Sequence, residues 1–178
     1  YEDKQSFLDT VWDRNLNLYA ALDFDATPDT TIGVGVAHAR LKGNSALYPG
    51  VPRYADGRDL GLPRSAYVAA GWNEADRRET QVFLDLEHRF SENWKLKAAA
   101  AYVRENYDAV ESHANGRVAV GGSTVSGVGY AYDDAANSRG LDIHLSGKLQ
   151  ALGLAHEVVI GGNYTKQKRD DGYVQYWN

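Results

Sequence analysis

"LNLYAALDFDATPDTTIGVGV", residues 16–36, carries the fold. Leu16, Leu18, Ala20, Leu22, Phe24 and Ala26 fall on one side of an extended chain, and Asn15, Asn17, Tyr19, Asp23 and Asp25 on the other. Strict period two is the pattern of a strand with one dry face and one wet face. The Thr27-Pro28-Asp29-Thr30 segment has the chemistry of a tight turn. Beyond it Ile32, Val34 and Val36 continue the dry face. Fold class and function both depend on what covers that face.

The same alternation recurs outward from this hairpin. After strands over 15–26 and 31–41, a third is expected over about 79–90, with Val82, Leu84, Leu86 and Phe90 against Gln81, Asp85, Glu87 and Arg89. A fourth covers about 94–107, a fifth 139–149 and a sixth 155–168, and a partial seventh lies in "EDKQSFLD" near the start, turning through "TVWDRN". The pattern predicts an all-β, antiparallel up-and-down meander of about six to seven long strands. Connections after the first, third and fifth strands are short, whereas those over 42–78 and 108–138 are long and fall at the opposite end. Structureless loops of that length are uncommon in compact soluble domains. Short turns at one end and long loops at the other are the normal form of an outer-membrane barrel.

Composition points the same way. Trp94 and Tyr102 bracket Leu96, Ala98 and Ala100 on one face. Eight residues at roughly 3.3 Å each, tilted about 40°, span on the order of 20 Å, close to the ~25 Å apolar band between the aromatic girdles of such barrels. Phe24 and Phe90 sit near the short-turn ends and Tyr164 near the other. Asp23, Asp25, Asp85, Glu87, Arg89, Lys95, Lys97, Asp142, His144, Lys148 and Glu157 share the wet side. Pairing of the third and fourth strands through their short turn brings Glu87 and Arg89 near Lys95 and Lys97.

The net charge of −5, with no basic block, speaks against nucleic acid as a partner. No apolar run approaches the ~18 residues of a transmembrane helix, and mean hydropathy is −0.50. Cysteine is absent, which removes disulfides, thiol catalysis and thiolate metal sites. The chain opens on Tyr1 with neither an initiator methionine nor a signal peptide, so a mature product or an excised piece is expected. "GVGVAH" has two glycines of a dinucleotide fingerprint but lies inside a strand. The histidines at 38, 88, 113, 144 and 156 lack metal-ligand spacing, and no Ser/His/Asp set is in a plausible position, so neither a metal site nor an enzyme is expected. Asp133-Asp134 and Asp170-Asp171 read as solvated loop charge. A passive porin-like or structural barrel, and a soluble ligand-binding barrel, remain alternatives at this point.

The loop and strand segments "GVPRYADGRDLGLPRS" (50–65), "GWN" (71–73) and "VFLDLEHRFSENWKLK" (82–97), with the 22–36 hairpin, resemble the barrel of TonB-dependent ferric-siderophore receptors, within them the hydroxamate and pyoverdine-type branch. The most specific part runs from Leu62-Pro63-Arg64-Ser65 to Trp72. The resemblance implies a 22-stranded transmembrane barrel in the bacterial outer membrane, filled by a plug whose TonB box couples import to the inner membrane. This chain contains neither plug nor TonB box and resembles part of the barrel, with a ferric siderophore as transported ligand and no cofactor of its own. An isolated piece of this kind is expected to self-associate through strand edges or its apolar face.

A bulky polar ligand of that class needs aromatics to pack against and a few cations or donors for orientation. Arg64, Tyr67 and Trp72, in the long loop, are candidates through the motif. Tyr173, Tyr176 and Trp177 in "DGYVQYWN" lie at the same open end, and Tyr130 and Tyr132 in "GVGYAYDD" are weaker candidates.

Overall fold

The computed structural model describes residues 1–44 and 50–177. Seven antiparallel strands form one sheet in sequence order: β1 (Glu2–Gln5), β2 (Trp12–Thr27), β3 (Thr30–Gly43), β4 (Glu74–Ser91), β5 (Trp94–Ala114), β6 (Gly127–Ala151) and β7 (Leu154–Trp177). Each neighbouring pair is antiparallel, as a meander requires.

The short ends are two-residue turns. Pro28-Asp29 joins β2 to β3, and Glu92-Asn93 joins β4 to β5, each beside a register shift. Leu152-Gly153 joins β6 to β7 with both residues at positive φ, 55° and 77°, the conformation whose twist suits a two-residue hairpin.

Register confirms the two faces. Leu22, Val34, Leu84, Ala100, Leu141 and Tyr164 are successive partners across β2 to β7. The next row of that parity is Phe24, Ile32, Leu86, Ala98, Ile143 and Gly162. This face has no second layer against it among the described residues. Leu22 is 64%, Leu84 51% and Ile160 66% exposed, and among the described residues the buried apolar side chains are Val11, Ala109, Val118, Val128 and Ala136. A soluble sandwich or small barrel would bury the first group, and among the described residues nothing does. Trp94 lies across Gly147 on this face, where a Cβ would strike the indole ring.

The opposite, inner face carries the charges. Glu87 reaches both Lys95 (3.1 Å) and Lys97 (2.9 Å), as the strand pairing required. Arg89 instead ties β4 to the neighbouring turn through Asp29 (3.1 Å) and the Pro28 carbonyl (3.1 Å).

The strands extend further than the alternation suggested. The long connections expected over 42–78 and 108–138 are 44–73 and 115–126, and β6 begins at Gly127 rather than 139. The N-terminal strand, by contrast, is shorter, and Trp12 already belongs to β2. The cause is visible in β5. Its 21 residues reach about 70 Å at ~3.3 Å each, or ~50 Å along a normal tilted ~40°, twice the ~25 Å apolar band. Beyond Tyr102 the outer positions become Arg104, Asn106 and Asp108. The ladder continues there between two polar faces, so the hydropathy contrast that betrays a strand disappears while its hydrogen bonds do not.

The connections at this end are joined together. Tyr54 and Val118 form a parallel bridge, with the Ala55 N–H donating to the Val118 carbonyl (2.8 Å) and the Val118 N–H to Arg53 (3.0 Å). The Asp9 N–H donates to the Ser65 carbonyl (2.7 Å), fastening the β1–β2 turn to the long loop.

Candidate functional site

The upper extensions of β4 to β7 bring aromatic residues onto the inner face. Tyr132 stands directly opposite Tyr173, and its partner Ala109 is two residues from Tyr107. Alternate residues of a strand share a face, so Tyr107, Tyr130, Tyr132 and Tyr173 gather there. Centroid distances are 5.9 Å for Tyr107–Tyr132, 6.0 Å for Tyr130–Tyr132, 5.6 Å for Tyr132–Tyr173 and 5.8 Å for Tyr130–Tyr173. His113 stacks on Tyr130 at 5.4 Å, and the Arg77 guanidinium lies 5.1 Å over Tyr107. The small Ala109 beneath is buried, leaving the rings to form the surface.

Hydrogen bonds fix this surface. Tyr107 Oη donates to Glu111 (3.2 Å) and Tyr173 Oη to Gln175 (2.9 Å). Arg169 joins Asp134 (3.3 Å) and Asp171 along its lower border. Burial, with Glu111 close by, pushes the Tyr107 phenol up to about 12. Burial and then Glu111 raise Tyr132, and burial and then Tyr130 raise Tyr173. Each of these three phenols keeps its proton at neutral pH; Tyr107 and Tyr173 give theirs to Glu111 and Gln175, so the cluster presents π faces, with the Tyr132 hydroxyl as a donor. Among the described residues no group of three His, Cys, Asp or Glu side chains is arranged to hold a metal. The surface suits a large ligand with flat, hydrogen-bonding groups.

Of the residues singled out in the sequence, Tyr173 is in this cluster, and so are Tyr130 and Tyr132, on strands rather than in the expected loop. Arg64 lies elsewhere, its guanidinium 4.8 Å over the Phe7 ring beside the Asp9–Ser65 contact. Tyr67 is half-buried at the root of the long loop, donating to the Asn44 carbonyl (2.8 Å), and its phenol is raised by burial against the opposing effect of Asn73.

Asn44 and Asn73, among the most buried polar side chains of the described residues, extend the ladders past the strand ends. Asn44 accepts from the Trp12 N–H (2.9 Å) and donates to the Thr10 carbonyl (2.8 Å). Asn73 accepts from the Ser112 N–H and Oγ (2.8 Å each) and donates to the Ser112 carbonyl (3.0 Å).

Trp72 is packed over Gly129, directly opposite Tyr176 in the β6–β7 ladder, and lines an outward recess with Tyr176, Val68 and Val125. These two aromatics lie across the sheet from the tyrosine cluster. Trp177 ends β7 opposite Val128, and its side chain lies outside the described residues.

Tyr107, Arg77 and Glu111 were not singled out in the sequence. The "YAY" spacing of Tyr130 and Tyr132 and the pairing of Tyr132 with Tyr173 would have led to Tyr107 once the strands were carried past the apolar band.

The chain matches no protein-family model. It is 36% identical over 175 residues to the ferric-pyoverdine receptor PbuA of a Pseudomonas species, covering 97% of this chain and 21% of that protein. FpvA of Pseudomonas aeruginosa, in complex with a heterologous ferric pyoverdine, superposes with a TM-score of 0.89 at 28% identity, over 99% of this chain and 23% of that one. The chain matches the barrel of the TonB-dependent siderophore receptors. It spans about a fifth of the length of the curated relatives it matches. The ferripyoverdine receptor of the P. aeruginosa outer membrane, bound to ferripyoverdine, gives a TM-score of 0.87 at 27% identity, over 99% of this chain and 23% of that one. The relatives are outer-membrane transport receptors, and an apolar outward band of this kind is what such barrels present to lipid.

Proposed function

We propose that this chain forms part of the barrel wall and extracellular rim of an outer-membrane receptor that binds a ferric siderophore of the pyoverdine class and imports it with energy from TonB. The observation that carries the reading is the inward cluster of Tyr107, Tyr130, Tyr132 and Tyr173, capped by Arg77, above the lipid band. A passive porin is expected to line a constriction with opposed charges, and the stacked aromatic wall at this mouth favours a bound ligand instead.

In this reading the tyrosines pack against the ligand's flat groups, while Arg77 and the Tyr132 hydroxyl orient its polar edge. The iron stays within the siderophore and takes no ligand from these residues. Tyr173 is a contact residue. Arg64, Tyr67, Trp72 and Tyr176 hold the loops in place around it. The TonB contact belongs to a plug outside this stretch. In the whole receptor the outer edge of β7 and the uncovered length of β2 pair with further strands, and as an isolated piece the chain self-associates through them.

The test is ferripyoverdine binding to the full-length receptor, read by fluorescence quenching. Tyr132→Ala is expected to weaken binding roughly 2- to 12-fold, the worth of one aromatic contact of about 0.5–1.5 kcal/mol. Tyr132→Phe should retain most of it, and Trp72→Ala should change it little. A neutral Tyr132→Ala beside a disabling Trp72→Ala would move the site to the outer recess and end this reading.

A further inference from the structure

The inward wall of tyrosines carries one charge that no cation answers. Glu111 of β5 stands directly opposite Tyr130 in the ladder, and Tyr130 in turn faces Gln175 of β7. Ala109, Tyr132 and Tyr173 form the inward row below. Glu111 is therefore part of the ring surface, half-buried at its upper edge.

The charges around it are arranged differently. Asp134 and Asp171, in the next inward row down, share Arg169. Arg77 is engaged through the π face of Tyr107 at 5.1 Å. Glu111 accepts a single hydrogen bond among the described residues, from Tyr107 Oη to Oε1 at 3.2 Å. Its second oxygen accepts none, and no described lysine or arginine comes within ion-pair distance of it.

Holding Tyr107 in place does not require that charge. On the far strand Tyr173 Oη donates to Gln175 Oε1 at 2.9 Å, so a neutral amide performs the same service for the matching ring. What a carboxylate adds is its field, which after burial is the next cause raising both the Tyr107 and the Tyr132 phenols. The negative faces of the rings and the free carboxylate oxygen attract the same kind of group, a cation seated on the rings.

We infer that Glu111 is a specificity-determining residue, which selects ferric siderophores bearing an ammonium or guanidinium beside the flat group that packs on the tyrosines. The cation lies over the rings and donates to the free Glu111 oxygen, while Arg77, at the other end of Tyr107, takes the ligand's acidic edge. This rests on the proposed function, in which the ring surface binds the ligand, and adds a charge preference to it.

The experiment titrates the full-length receptor, by fluorescence quenching, with a ferripyoverdine carrying a free amine and with the same molecule acetylated or succinylated at that amine. The wild type is expected to bind the free-amine form on the order of tenfold more tightly than the acetylated form, from a cation on π faces beside a half-exposed carboxylate. E111Q should bring that ratio down to about threefold, the share left to the rings. E111K should reverse the order, binding the succinylated form more tightly than the free amine. A wild type without preference, or an E111Q ratio as large as that of the wild type, overturns the inference. Equal weakening of all forms by E111Q does so too, since Glu111 would then serve only to hold Tyr107. Tyr132→Ala separates this from the underlying reading: it should weaken every form together and leave their ratio standing. If Tyr132→Ala affects none of them, the ring surface is not the ligand site, and the proposed function falls with the inference.

Discussion

Adjacent residues of β5 should respond oppositely to the same substitution. Ala98 lies four residues from Trp94 and four from Tyr102, which is about 13 Å along the strand each way and ~10 Å along the membrane normal at a tilt of ~40°. It is therefore near the centre of the lipid band. Arginine there is expected to cost about 2–4 kcal/mol, the price of that charge at the midplane of a barrel's lipid face. Ala99 points inward, and its ladder partners on either side are Asp85 and Asp142. Arginine at 99 enters between two carboxylates and should be neutral or stabilising by up to ~1 kcal/mol, as cross-strand ion pairs are. The native Arg104 fixes the scale. It lies six residues above Ala98, about 15 Å along the normal, just outside half the ~25 Å band. The assay is guanidinium unfolding of the full-length receptor in phosphatidylcholine vesicles, comparing A98R, A99R and the wild type. Equal destabilisation by both variants, or a neutral A98R, would refute the assignment of faces on which the fold and function rest.

Three further outcomes follow from the loop root and the two titrating sites. Asn73→Ala removes three hydrogen bonds to Ser112 at a buried position, and should cost about 1–3 kcal/mol, seen as faster hydrogen exchange and protease nicking in 50–73 with the strands still protected. In an ultraviolet titration of the phenols, Tyr107 should ionise last, near 12, and Tyr107→Phe should remove that late step. Because its folded value lies above the ordinary 10, local stability is expected to fall as pH rises from about 10 to 12. Asp76 behaves in the opposite sense: the Arg40 guanidinium, with Arg78 and Lys42 nearby, lowers its carboxyl, so its contribution is present above the usual carboxylate range and lost as pH falls through the lowered value. Acid unfolding followed at the rim should show a step that Asp76→Asn abolishes.

How much of this was legible in the sequence depends on where the chain leaves the bilayer. Inside the band, Leu22, Leu84 and Leu141 are each followed by an aspartate, and the alternation of which they are part places the strands and their faces. Above it, Arg104 and Asn106 alternate with Glu105 and Tyr107, so both faces are polar and period two carries no signal, although the hydrogen-bonded ladder runs on to Ala114. Residues 127–138 look like loop for the same reason, and the alternation therefore gives Tyr130 and Tyr132 no place on the inner face. The loop motif drew attention to Arg64, Tyr67 and Trp72, whose specificity reflects how the loop is anchored: on Phe7, on Asn44 and over Gly129. What distinguishes the candidate site is register, since Tyr132 faces Tyr173 only when β6 and β7 are extended together from their turn through about twenty residues each. A strand that outlasts the apolar band thus holds the aromatics of the proposed site clear of it, and the property that hides them from a hydropathy reading is the one that, in the proposed function, puts them within reach of a ligand outside the cell.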